Sequence, residues 1–181
     1  MSTLTVKELA APTGYDLKIA SGETLDLKSQ GTVTMPTGSV LQVLSSTIGT
    51  NTTSNSTSWA NTAIYIDITP SNTSNKILVA YSSQVRIYGW GATRIVRTDT
   101  SDNNAVIMTD SNTASGSGEH DFGVPSNAEV RFTITQKHLD SPNTTSAIRY
   151  RVQLKRYSGT GDFNVPESNF HASITAMEVQ G

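Results

Sequence analysis

Apolar and polar residues alternate with period two through most of the chain beyond Trp59. Ile64, Ile66 and Ile68 share one phase, and Ile77, Val79, Tyr81, Val85 and Ile87 keep one phase through a longer segment. Val106 and Met108 follow, then Val130, Phe132 and Ile134, then Ile148, Tyr150, Val152 and Leu154, and last Phe170, Ala172, Ile174 and Ala176. Such spacing puts one set of side chains on one face of an extended chain, so each segment reads as a half-buried strand. Turn clusters separate them: TPSNTSN, YGWGA, DTSDNN, DSNTASGSGEHD, DSPNTTS and SGTGD. No sustained helical period appears after residue 12. About eight strands over roughly 140 residues predict an all-β antiparallel sandwich, jelly-roll-like, over residues 40–181.

The front of the chain has a different pattern. Residues 16–39 divide into three octads, DLKIASGE, TLDLKSQG and TVTMPTGS, in which Leu17, Leu25 and Val33 recur every eight residues, as do Ile19, Leu27 and Met35. The two apolar side chains of each octad fall on one face of a short strand, and a glycine follows to turn the chain. Six such side chains are too few for a core in one copy. Packing the same stripe from several copies around an axis seals it, so these six are expected to form the core of a short oligomeric β stem, with three chains. The competing reading makes the octads hairpins of the following domain.

Residues 1–15 precede the repeat. Thr5 and Glu8 have capping-box spacing for a single helical turn, and Leu4, Val6 and Leu9 offer a partner an apolar hold. At the other side of the octads, Val40, Leu41, Val43 and Leu44 read as a first strand, and the small polar run 45–58 as a surface loop.

Composition narrows the function. Charged residues are 15% of the chain and the net charge is −2, so no overall field gathers nucleic acid or acidic lipid. Cysteine is absent, which excludes disulfides, thiolate metal sites and a cysteine nucleophile. The N-terminus lacks a signal-peptide core, and no run approaches the roughly 20 apolar residues of a membrane span, so synthesis in a cytoplasm without membrane insertion is expected.

Candidate chemistry is sparse. His120, His138 and His171 lie in separate segments without metal-ligand spacing, and no nucleophile or phosphate-cradle motif is present, so neither metal nor cofactor is expected. Asp99, Asp102, Asn103 and Asn104 lack the glycine and closing glutamate of a calcium loop. Acids are scattered through turns, against the paired carboxylates of a glycan-cleaving enzyme. Glu119, His120 and Asp121 form the one loop cluster with acid–base capacity, and Tyr88 and Trp90 in YGWGA are flanked by glycines that let an aromatic ring project toward a sugar. These five are the candidate glycan-binding residues. Trp59 is expected to be buried. The phases Arg149, Arg151, Gln153, Lys155 and Glu129, Arg131, Thr133, Thr135, Lys137 would make one partly basic face if their strands paired. Aromatics are not interleaved with the charge of these outward phases, which argues against nucleic acid.

The opening MSTLTVKEL, the repeats in KIASGETLDLKSQGTVTMPTGSVLQV and the ending SNFHASITAMEVQG resemble small virion structural proteins of tailed phages, especially marine and cyanobacterial ones, of tail-fibre or head-decoration type. The body is also similar to trimeric jelly-roll heads of the tumour-necrosis-factor and C1q type. The resemblance implies no catalytic residues. It implies a homotrimer in the virion, with residues 1–15 as an arm on other virion proteins, 16–39 as stem, and 40–181 as an outward-facing knob; with the candidate residues above, that knob is expected to bind host-surface polysaccharide. Decoration of the capsid is the alternative role. Three octads at about 3.3 Å per residue make only a stub, so a short fibre or knob is expected.

Overall fold

The unbroken phase from Ile77 to Ile87 produces the longest strand of the fold, β4 (Lys76–Tyr88), whose odd-numbered apolar residues are all buried. The computed structural model describes residues 35–108, 120–123 and 128–181, together with Thr13 and Ser21. Pro36–Gly181 is a compact unit of its own. The expected arm residues Leu4, Val6 and Leu9 and the stem residues Leu17, Ile19, Leu25, Leu27 and Val33 lie outside the described residues, as does Glu119. Met35 is described and is exposed.

Around β4 the described residues form β1 (Val40–Ile48), β2 (Thr52–Ser54), β3 (Ala60–Ile68), β5 (Trp90–Asp99), β6 (Val106–Ile107), β7 (His120–Gly123), β8 (Glu129–Asp140), β9 (Ile148–Ser158), β10 (Phe163–Val165) and β11 (Ala172–Val179). All pairings are antiparallel. The first sheet runs β1-β11-β4-β8, with β10 and β2 continuing it beside the far end of β4; the second runs β3-β9-β5, with β6 and β7 along the outer side of β5.

Leaving aside the short β2, β6 and β10, the pairing is nested: β1 with β11, β3 with β9, β4 with β8, and β5 with β7. A long hairpin folded over itself in this way is a jelly roll, so the all-β sandwich read from the sequence is the fold. With those short strands set aside, successive strands alternate between sheets except at the β5–β7 hairpin, because each must bury its apolar phase against the other layer. Ile64, Ile66, Ile68, Tyr150, Val152 and Leu154 from the second sheet meet Ile77, Val79, Val85, Ile87, Ile174 and Ala176 from the first.

Three local expectations are corrected. Residues 45–58 are not one loop, since β1 continues to Ile48 against β11 and Thr52–Ser54 pairs with β10. Phe170 does not begin the last strand; it lies exposed in the turn before Ala172, with its N–H donated to the Glu167 carbonyl at 3.0 Å. The two basic-phase strands do not pair. β8 lies beside β4 in the first sheet and β9 lies between β3 and β5 in the second, so their outer faces point away from each other.

At one end of the sandwich Gly38 N–H donates to the Gln180 carbonyl at 2.8 Å and Gln180 N–H to the Ser39 carbonyl at 2.9 Å, which fixes the entry of the chain beside its last strand. At the other end Gly89 turns β4 into β5 with φ of 95°. A side chain there would bring its Cβ to 2.9 Å from Gly159 Cα.

Candidate functional site

The outer face of the second sheet carries a layer of cations and rings. On β9 the alternation that buries Tyr150, Val152 and Leu154 turns Arg149, Arg151, Gln153 and Lys155 outward, and on β3 it turns out Asn61, Tyr65 and Asp67. Register then sets Asp67 against Arg149, Tyr65 against Arg151, and Asn61 against Gln153. Arg149 forks onto Asp67, Nε to Oδ1 at 2.7 Å and a terminal nitrogen to Oδ2 at 2.8 Å. That hydrogen bond raises the already high pKa of the Arg149 guanidinium. Arg151 Nε lies 2.9 Å from Asp102 Oδ1 and donates from a terminal nitrogen to the Thr62 carbonyl at 2.8 Å. Both guanidiniums lie over the Tyr65 ring, at 4.2 and 4.7 Å from its centre.

The layer continues toward the Gly89 end. Arg94 Cζ lies 4.1 Å over the Trp59 ring, Lys155 Nζ lies 4.5 Å over the same ring and 4.3 Å over Tyr157. Trp59 is therefore half-buried beneath cations on the outer face and is not a core residue, a correction to the expectation. Ala92, Val96 and Thr98 of β5 face outward yet are buried, and their neighbours in register are Lys155, Arg151 and Arg149, whose stems are long enough to cover them.

The expected glycan-binding residues are partly brought together. β7 pairs with β5 so that Gly123 opposes Trp90 and Asp121 opposes Ala92, which puts Trp90 and Asp121 on the same outer face. Tyr157, which sequence reading missed, donates its hydroxyl to Asp121 Oδ1 at 3.0 Å. Trp90 and Tyr157 keep 40% and 41% of their surface exposed, enough for a planar ligand to reach them. His120 opposes Thr93 in the ladder. Tyr88 is separated from this group: it ends β4 in the first sheet, gives its hydroxyl to Glu129, which raises its pKa, and lies over Gly161. One glycine between two strands of different sheets is enough to part neighbours.

No protein-family model matches the chain, and no curated protein matches it. Among solved structures, a chain in the structure of the infectious bursal disease virus Gx strain is similar at a TM-score of 0.36 and 10% identity, over 88% of this chain and 41% of that one. The chain spans less than half the length of that neighbour.

Acids near the layer are engaged. Asp67 and Asp102 hold arginines, and Asp121 accepts from Tyr157. Asp99 caps its own loop, accepting the backbone N–H groups of Asn103 and Ser101 at 2.9 Å each; these bonds, Asn103 foremost, hold its pKa below the ordinary value. The loop that resembles a calcium site in sequence thus uses its carboxylates for turn geometry and ion pairs. On this face rings and cations interleave in space. Asp67, Asp102 and Asp121 interrupt the four cations, which leaves no continuous basic track.

Proposed function

We propose that the chain is a non-enzymatic virion surface protein, a short tail-fibre knob that assembles as a homotrimer and holds host-surface glycans on the Trp90 end of the second sheet. The observation that carries the binding site is the pair of exposed rings, Trp90 and Tyr157, fixed on a rigid sheet beside Asp121 and Lys155. Ring faces take the C–H side of a sugar, and the flanking carboxylate and ammonium take its hydroxyls. Contacts of this size are weak singly and useful in threes and in many copies per particle. The virion assignment rests on the sequence resemblance.

Self-association is supported by the outer face of the first sheet. Val43, Met177, Leu78 and Leu139 oppose one another in register across β1, β11, β4 and β8, with Val43 55% and Leu139 52% exposed. A continuous apolar row of this kind is a surface that a second copy covers well. The same row supports the second reading, a decoration protein seated on a capsid shell.

Sedimentation of the purified chain at micromolar concentration should give the mass of three copies, and Val43→Asp should weaken assembly several-fold without lowering the thermal midpoint. A single-copy mass for the wild type would remove the trimer. Trp90→Ala and Tyr157→Ala should each weaken binding to host-surface polysaccharide about tenfold, or about 1.4 kcal/mol. Binding to shells but not to polysaccharide would favour decoration.

A further inference from the structure

The outer face of the first sheet has a break in its ladder. On one side of β4, β11 pairs from Lys76 to Ser82 and β10 only at Arg86, so Ser83–Val85 has no strand partner there. The turn 166–171 passes the gap instead, and Glu167 N–H donates to the Gln84 carbonyl at 2.8 Å. A notch of about 360 Å³ results, with Ser82, Gln84, Thr133 and Ser173 among its walls and Phe170 and His171 at its rim.

We propose that this notch is a binding site for one ring of a neutral sugar. Among the described residues its lining holds no carboxylate, lysine or arginine, which disfavours a charged ligand, while five hydroxyl side chains, an amide and an imidazole suit a ligand that both donates and accepts. Phe170 is 45% exposed in a turn where a solvated loop has no need of a large apolar ring, and it offers a face for sugar C–H groups. The His171 ring is seated over Gly49, where an added Cβ would come within 3.1 Å, so the imidazole has a fixed place. Gln84 Oε1 is buried without a hydrogen-bond donor among the described residues. An acceptor left in that state is costly, and a turn of the Gln84 amide toward the notch would let a ligand hydroxyl relieve it. The volume is at the small end of ligand pockets, sized for a single ring and not for an extended chain. The proposal does not rest on the Trp90 surface, which belongs to the other sheet.

Amide NMR of the full chain, titrated in separate arms with methyl α-D-mannoside, methyl α-D-glucoside, methyl β-D-galactoside, sorbitol and sodium sulfate, tests it. At least one glycoside should shift the Gln84 side-chain amide and the backbone amides of residues 169–173 saturably, with sorbitol and sulfate inert. Phe170→Ala, at an exposed position, should weaken that response about tenfold at an unchanged thermal midpoint, and Trp90→Ala should leave it intact. Absence of a saturable shift with every glycoside, an unaltered response in Phe170→Ala, or an equal response to sulfate would overturn the site.

Discussion

Asp140→Ala should destabilise the sandwich by about 3–5 kcal/mol, read as a fall in the urea midpoint at unchanged slope. Asp140 ends β8 in the first sheet, and its carboxylate accepts from Arg97 at 2.5 Å and from the Tyr150 hydroxyl at 2.6 Å, both in the second. It is therefore a polar clamp between layers. Burial first, and then the bond to Asp140, raises the Tyr150 pKa, so the phenol stays a donor through the accessible range. Removing the carboxylate leaves a mostly buried guanidinium and a buried hydroxyl without their acceptor, which is the expensive direction of breaking such a group. Tyr150→Phe should cost only about 1 kcal/mol, because it deletes one donor and keeps the ion pair. Equal losses for the two variants would show that packing, and not the charge, sets the cost.

Glu178→Ala should cost about 3 kcal/mol by the same measurement. The residue is 1% exposed, and among the described residues it makes no ion pair. Its carboxylate instead accepts from Gln42 at 2.6 Å, from Ser71 N–H at 2.6 Å and hydroxyl at 2.8 Å, and from Asn75 at 2.6 Å, tying β1 and the turn before β4 to the last strand. Burial alone pushes its pKa up, but the bonds from Asn75, Gln42 and Ser71 outweigh burial and hold it below 4.5. A folded pKa below the unfolded one means that the contribution is fully present above the unfolded value and is lost as pH falls through the folded one. Wild-type stability should accordingly drop at acid pH, and the loss between wild type and Glu178→Gln should shrink there. A difference that is constant with pH would show that the carboxylate is not the group responsible.

Much of the core was legible because period two survives wherever one strand face is buried. Every residue from Ile77 to Ile87 assigned to the inner phase is buried, as are Ile64, Ile66, Ile68 and the inner residues of β9. Sheet partners were not legible, since a nested hairpin joins segments far apart in sequence and two basic phases cannot announce which layer each belongs to. The site shows the same division. Trp90 and Asp121 share a face only through the β5–β7 ladder, while Tyr88 is lost to the other sheet. Tyr157 extends the outward phase of Arg149 to Lys155 by one step, and Tyr65 is opposite in phase to Ile64 and Ile66. Both could have been found by reading the polar side of each strand as closely as the apolar one.

The tie between Gly38 and Gln180 has a mechanical consequence. Val179 beside it opposes Lys76, the first residue of β4, and Trp90 comes just after the last, so the two are separated by about 13 residues of extended chain, roughly 40 Å. A load applied at residue 38 is shared with β11 from the outset and passes into β4, which is flanked by strands on both sides. Pulling there shears many ladder bonds at once instead of peeling them singly, so a tethered sandwich of this design should resist traction while its distant rim stays engaged.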